Sequence, residues 1–575
     1  MPQAVASITP TVEQLSERIR DLERRVSALE GHPEKPPALE TQLADVPLQR
    51  PRPPATWRGF PPAEVPGGTV PILGKAVLGI AGAYLLRAVA ESGSIPKLPV
   101  LLVAIVYAAL WMVWAVRTHE TSRFAGITYG ITSALILSPL LWESTVRFQV
   151  LSPALTAVVL IAFVVLALAL AWKHDLQVIP WVATLAAVIT AWALIIATHE
   201  LVPLTAALLA VALATEVTAC LGHRLSLRAV PAIAADFAVL LSVYLLASSE
   251  GVPEGYHPAS PGALVTLSVA LLAIYGGSIG IRSFGLRQPI TLFEIGQGIL
   301  AFVLAAFGGM RATHGAAAPA FGVLFLLLAA VCYWGALSRF AEEAHARNRR
   351  VCATWAAGLL LAGSFLVFPV TLQVPFLCLA AAAAVFVYIR TAKLSLGLHA
   401  SLYLAAATAV SPLAGYVASA LAGKVPAAPA WSVWLVAISA AVCYAIGSRG
   451  TLDQGKRRLL WVVPAGIAGF AAAGLVVVAI AWLAANRVEL SPSRLSVIRT
   501  IVNCALALAL GFLGSSWKRI ELGWVAYAAV AFGTMKLLFE DLRFGNAASL
   551  VVSLLFYGLI LILLPRLTRR GLIES

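Results

Sequence analysis

Apolar residues fill the chain from Val70 to Pro565 in runs of about 20, each enough to cross a hydrocarbon core of about 30 Å as a helix, with short polar links between them. Eighteen such runs are expected, beginning near residues 70, 97, 123, 149, 177, 201, 228, 260, 289, 317, 349, 371, 394, 429, 457, 493, 520 and 545. The least regular is the thirteenth, where Pro412 and Gly415 interrupt the apolar pattern. Gly126 with Gly130 and Gly276 with Gly280 have the small-xxx-small spacing that lets helix backbones approach, and ordinary packing is the role expected of both.

A different pattern opens the chain. Val12, Leu15, Ile19, Leu22, Val26 and Leu29 follow a 3-4 spacing that draws one apolar stripe along a helix. Thr9 is placed to cap it, Pro10 suits its first position and Gly31 its end. With Val12, Ile19 and Val26 at a and the leucines at d, Arg18 and Arg25 stand at g facing Glu23 and Glu30 at e of a partner, as in a parallel two-stranded coil. A lone amphipathic helix resting on a membrane remains the alternative. Eleven of the 41 residues from Gly31 to Pro71 are proline, which rules out sustained helix and favours an extended tether. The expected organisation is a helix over 1–31, a Pro-rich linker over 32–70, a transmembrane domain over 71–566 and a basic tail over 567–575. The fold class is all-α, a polytopic bundle with a short cytoplasmic coiled-coil helix.

Composition agrees. The 575 residues are 60% hydrophobic and 12% charged, with a mean hydropathy of +0.88, about half the roughly 25% charge of a soluble protein. The net charge of +14 is explained first by orientation. With loops assigned alternately to two sides, 25 of the Lys and Arg near the runs fall on the side of the N-terminus and 7 on the other. Both termini are therefore expected in the cytoplasm. No apolar signal segment opens the first 30 residues. The six cysteines lie in or beside apolar runs without CxxC spacing, so neither disulfides nor a cysteine metal site is expected. No phosphate-binding loop, HExxH helix or nucleophile elbow occurs, and the nine histidines are dispersed. No catalytic residue, metal or cofactor is called for.

Ionisable residues inside the runs are the candidate chemistry, because each costs at least about 2.5 kcal/mol at mid-bilayer. Lys75, Glu216, Asp236 and Glu294, the last with Gln297 one turn on, belong to the cytoplasmic half. Arg87 with Glu91, Arg499 with Asn503, and Lys536 with Glu540 are i,i+4 pairs in the outer half, and Asp541 follows. Two readings stand for the outer pairs: snorkelling at span ends, or convergence on one outward-facing polar site. Asp236, eight residues into its run, is a proton-relay or cation-site candidate, or a neutral packing acid.

Two segments carry a resemblance. In "AYLLRAVAESGSIPKLPVLL" the basic residue is Arg87, the acid Glu91 and the glycine Gly93; in "MKLLFEDLRFGNAASL" the lysine is Lys536 and the Asp-Leu pair Asp541 and Leu542. These resemble the N- and C-terminal signatures of a bacterial family of polytopic membrane proteins catalogued as domain of unknown function 2339. Leu550 stands where the family has an arginine. The resemblance implies a multi-pass protein of a bacterial inner membrane and no particular activity.

Three functions fit: transport or handling of a small or amphiphilic, lipid-like substrate; a non-enzymatic scaffold recruiting partners through the coiled coil; and an intramembrane enzyme on lipid-linked substrates. Membrane lipids and a second copy of the chain, paired through residues 11–30, are the expected partners. Nucleic acid is not.

Overall fold

The computed structural model describes residues 69–92, 95–119, 121–174, 178–222, 228–248, 251–449, 458–485, 491–541 and 547–573. The expected coiled coil and linker lie outside them.

Nineteen α-helices account for nearly all of these residues, and the described residues contain no strand. They are α1 (Thr69–Ser92), α2 (Lys97–His119), α3 (Arg123–Trp142), α4 (Pro153–His174), α5 (Val178–Thr198), α6 (Leu201–Cys220), α7 (Ala229–Leu246), α8 (Pro261–Gly280), α9 (Leu292–Ala312) and α10 (Ala318–Trp334). There follow α11 (Ala346–Val367), α12 (Val370–Thr391), α13 (Leu394–Val410), α14 (Leu413–Ala422), α15 (Trp431–Gly447), α16 (Val462–Ala485), α17 (Pro492–Ser516), α18 (Ile520–Lys536) and α19 (Ala547–Ile573). The helical form satisfies the backbone groups of each segment's interior within that segment, which apolar surroundings demand, and leaves only the ends to be capped.

Sixteen of these segments are long and apolar enough to cross a membrane, making this a multi-pass membrane protein. The eighteen runs read from the sequence coincide with those sixteen, with the 17-residue apolar helix α15, and with α13 and α14 taken together. That last pair bends by 69° at Ser411 and Pro412, where the apolar pattern falters. Helix α19 continues to Ile573, so the basic tail begins as helix.

Helix starts follow their local sequence. Ser122, Ser260 and Ser491 accept from the backbone N–H three residues on, capping α3, α8 and α17. Thr291 and Glu294 form a reciprocal capping box at α9. Four helices end instead in a π-turn: Glu143–Arg147 after α3, Ile281–Gly285 after α8, Gly335–Arg339 after α10 and Leu537–Asp541 after α18.

The interior is divided. One large apolar cluster joins α2 to α9, a second joins α11 to α16, and a third joins α16 to α19. Helix α1 buries only Ala76 and Gly79, the latter under the Trp111 ring. Large apolar side chains such as Leu85, Ile196 and Leu379 face outward, as lipid-facing residues do.

The two glycine pairs have different fates. Gly126 packs as expected, for a Cβ there would lie 2.6 Å from His119. The expectation for Gly276 and Gly280 is overturned: a Cβ at Gly280 meets nothing within 4 Å, and one at Gly276 meets only a Leu272 methyl at 3.8 Å. A reciprocal close contact of glycine backbones occurs where α10 meets α11. A Cβ on Gly363 would lie 2.9 Å from the Gly322 carbonyl oxygen, and one on Gly322 would lie 3.0 Å from that of Gly363. Gly363→Ala is accordingly expected to cost about 1–3 kcal/mol by overpacking. Gly466→Ala, where the added methyl meets nothing within 4 Å, is expected not to lower the melting temperature. Thermal unfolding of the two variants in detergent checks both.

Candidate functional site

Three networks hold the charges, and each is assembled from helices distant in sequence. The first joins the ends of α1 and α3. Arg87 pairs with Glu91 one turn on at 3.3 Å and with Glu143 at 2.8 Å, and Arg147 pairs with Glu91 at 3.0 Å. Glu143 and Arg147 both belong to the π-turn after α3. Lys97 lies over the Phe148 ring. Arg87, Glu91 and Arg147 keep substantial exposure, so their pairing contributes little to stability.

The second network lies between α6, α7, α8 and α9 and is far better buried. Arg228, just before α7, grips Glu216 with two parallel bonds of 2.9 and 2.7 Å and reaches Glu294 at 3.2 Å. Arg282, in the π-turn after α8, also donates to Glu294 and to Gln288 Oε1 at 3.0 Å. Ser278 donates to Glu216. One turn deeper, Gln297 Nε2 donates to both oxygens of Asp236 at 2.9 Å. The Tyr275 hydroxyl is buried without a hydrogen-bond partner. Glu216 retains 2% exposure, a burial that an ionised carboxylate tolerates only through such pairing.

The third network answers why Lys536 and Glu540 stand within apolar sequence. Arg499, 2% exposed, reaches across from α17 to the C-terminus of α14. Its Nε donates to Ala420 O at 2.9 Å and its Nη2 to Ser419 O at 3.2 Å and to Gly423 O. A guanidinium thus satisfies the last carbonyls of a helix that stops inside the bundle, where the helix dipole favours a cation. Nη1 of the same group donates to Glu540 at 2.6 Å. Lys536 donates to Ser496 O, Ser496 Oγ and Thr500 Oγ at 3.0 to 3.2 Å, and Glu540 lies 3.9 Å away. Asn503 does not bond to Arg499 but donates to Ala529 O at 2.9 Å, fixing α17 against α18. Asp541 closes the π-turn with its backbone; its side chain is outside the described residues.

The outer residues therefore form two sites. Arg87 and Glu91 bond within the first network, Arg499, Lys536 and Glu540 within the third, and among the described residues no bond of Arg87 or Glu91 reaches the third. The three acids Glu216, Asp236 and Glu294 do come together, through Arg228 and through Gln297. Lys75 is exposed on α1 and lies near the Trp114 ring. Arg228, Arg282, Glu143 and Arg147 were missed as site residues because they stand at run ends, where basic residues read as orientation and an acid as the mark of a helix terminus. His399 was missed too: its Nδ1 is 2.9 Å from the Tyr333 hydroxyl, itself 2.5 Å from that of Tyr403. No spacing relates residues on α10 and α13.

Among the described residues, no three His, Cys, Asp or Glu side chains converge as metal ligands do, and all six cysteines are free. No family model, curated protein or solved structure matches the chain.

Removing one member of the best-buried pair is expected to be costly. Arg228→Leu strands Glu216 and should lower stability by about 3–5 kcal/mol. Arg147→Leu, at a half-exposed position, should change it by no more than about 1 kcal/mol. Thermal unfolding of both variants in detergent measures the difference.

Proposed function

We propose that the chain handles a small amphiphilic, lipid-like substrate, whose anionic or zwitterionic headgroup lies beside Arg499 and Lys536. The observation that carries this reading is an apolar cavity of about 630 Å3 whose lining includes residues one helical turn from the third network. It is bounded by α14 to α17 and by residues 425–429, with Trp434 and Trp482 among its walls. Its size lies within the roughly 300–1,000 Å3 of small-molecule sites. Two of its lining residues lead directly to the guanidinium. Leu495 stands one turn before Arg499 on α17, and Tyr416 stands one turn before the carbonyls that Arg499 binds on α14. The Tyr416 hydroxyl, buried and without a partner, is a donor placed for a ligand oxygen. Transporter sites are commonly built around discontinuous helices whose ends face the ligand, and α14, set off from α13 by the bend, presents its C-terminal carbonyls to Arg499.

In this reading all eighteen segments cross a bacterial inner membrane, both termini are cytoplasmic, and the third network faces outward. The distribution of Lys and Arg supports that orientation.

Proteoliposomes carrying a fluorescent phospholipid test the function. The protein is expected to speed movement of the probe between leaflets by at least about tenfold over protein-free vesicles. Tyr416→Phe, which removes only the unpartnered hydroxyl, should slow it by about five- to tenfold, the effect of one hydrogen bond worth about 1 kcal/mol. Ala479→Trp, which fills the cavity from an exposed position of α16, should slow it at least as much. Wild-type rates equal to those of empty vesicles would overturn the reading. Reporter fusions placing the two termini on opposite faces would overturn the orientation.

A further inference from the structure

A second apolar cavity, of about 410 Å3, lies between α8, α9, α10 and α11 and adjoins none of the residues just considered. Its α8 wall is built from glycine. Gly276, Gly277 and Gly280 line it, and Cβ atoms built at Gly277 and Gly280 meet nothing within 4 Å. In a membrane bundle, a face of small residues ordinarily admits a neighbouring backbone. Among the described residues no helix takes that place. The opposite wall is packed, for a Cβ on Gly298 would lie 3.2 Å from Trp355. The open glycine face is therefore a slot with one firm side, not a loosely packed interior.

The slot is elongated and has a charged end. Along α8 it runs from Val269 to Gly280, roughly 16 Å at 1.5 Å per residue. It reaches the π-turn after α8, where Phe284 and Ile290 line it. Arg339 binds the Phe284 carbonyl at 3.0 and 3.2 Å. Arg347 and Arg350 open α11 at the same end, and Arg287 follows the π-turn. None of these four arginines is paired with a carboxylate among the described residues. The crowding reaches Lys393, in the link between α12 and α13. Burial first, and then the Arg349 guanidinium, hold its ammonium below the ordinary lysine range.

We propose that this cavity binds an anionic membrane phospholipid, with one acyl chain against the glycine face of α8 and the phosphate at the arginines that end α10 and begin α11. The chain fits because the slot is apolar, narrow and inside the spanning part of the protein, where the solvent is hydrocarbon. The headgroup fits because basic residues at one end of an interhelical slot attract anionic lipid. Neither argument depends on the function proposed for the cavity beside Arg499.

The test uses the full chain in nanodiscs of phosphatidylcholine doped with phosphatidylglycerol, read by native mass spectrometry of retained lipid. Wild type is expected to retain phosphatidylglycerol over phosphatidylcholine by about tenfold or more. Gly277→Leu projects into open space, so it should fold with an undiminished melting temperature while losing the retained lipid of both kinds. The double variant Arg347→Gln, Arg350→Gln should keep a bound chain but lose the preference for phosphatidylglycerol. Equal retention of the two lipids by wild type would overturn the proposal, as would undiminished retention by Gly277→Leu. Should Gly277→Leu fail to fold, electron cryomicroscopy of wild type with dibrominated phosphatidylglycerol decides. Bromine density against Gly277 and Trp355 supports the site, and its absence there overturns it.

Discussion

A charge taken out of water must find its partners inside the protein, and the described bundle is organised around places where it does. Burying an ion costs several kcal/mol even after relaxation, and only close, hydrogen-bonded partners offset that cost. Glu216 is offset by Arg228 and Ser278, and Arg499 by Glu540 and three backbone carbonyls. Each such set ties together helices that hydrophobic contact alone would leave free to slide, because apolar side chains are as well solvated by lipid as by one another. The networks thus set the register of the helices, while the small residues set their spacing.

The π-turns take part in that arrangement. Each of the four ends a helix, and each carries a charged side chain engaged with another element: Glu143 and Arg147, Arg282, Arg339, and Glu540. Such a turn adds one residue to the helical repeat. Side chains beyond it are rotated away from the face that a regular helix would give them. Lys536 and Glu540 illustrate the effect, since the i,i+4 spacing leaves them 3.9 Å apart while each makes closer bonds to α17.

Both cavities occur where helix packing is interrupted. One lies where the short helix α14, its last carbonyls satisfied by Arg499, gives way to residues 425–429. The other follows from a run of glycine on α8 that no described helix covers. Irregular backbone and missing side-chain volume are tolerated inside a membrane protein when they line a space of their own. Both spaces are lined mainly by apolar side chains.

The amino-acid pattern alone determined the class of protein, the positions of the helices and many of their starts, because these depend on runs of apolar residues and on caps within a few positions of each other. It also located Glu216, Asp236, Glu294, Arg499 and Lys536 as residues that need partners. The partners themselves were decided by the tertiary structure. Arg228 and Arg282 are indistinguishable in sequence from the basic residues that orient a span, and nothing in their spacing points to Glu294. The division of the outer charges into two networks, and the opposite fates of Gly126 and Gly280, depend on how each helix is rotated about its axis and on which neighbour it meets. Those quantities are set by packing between segments tens of residues apart, which a local pattern does not encode.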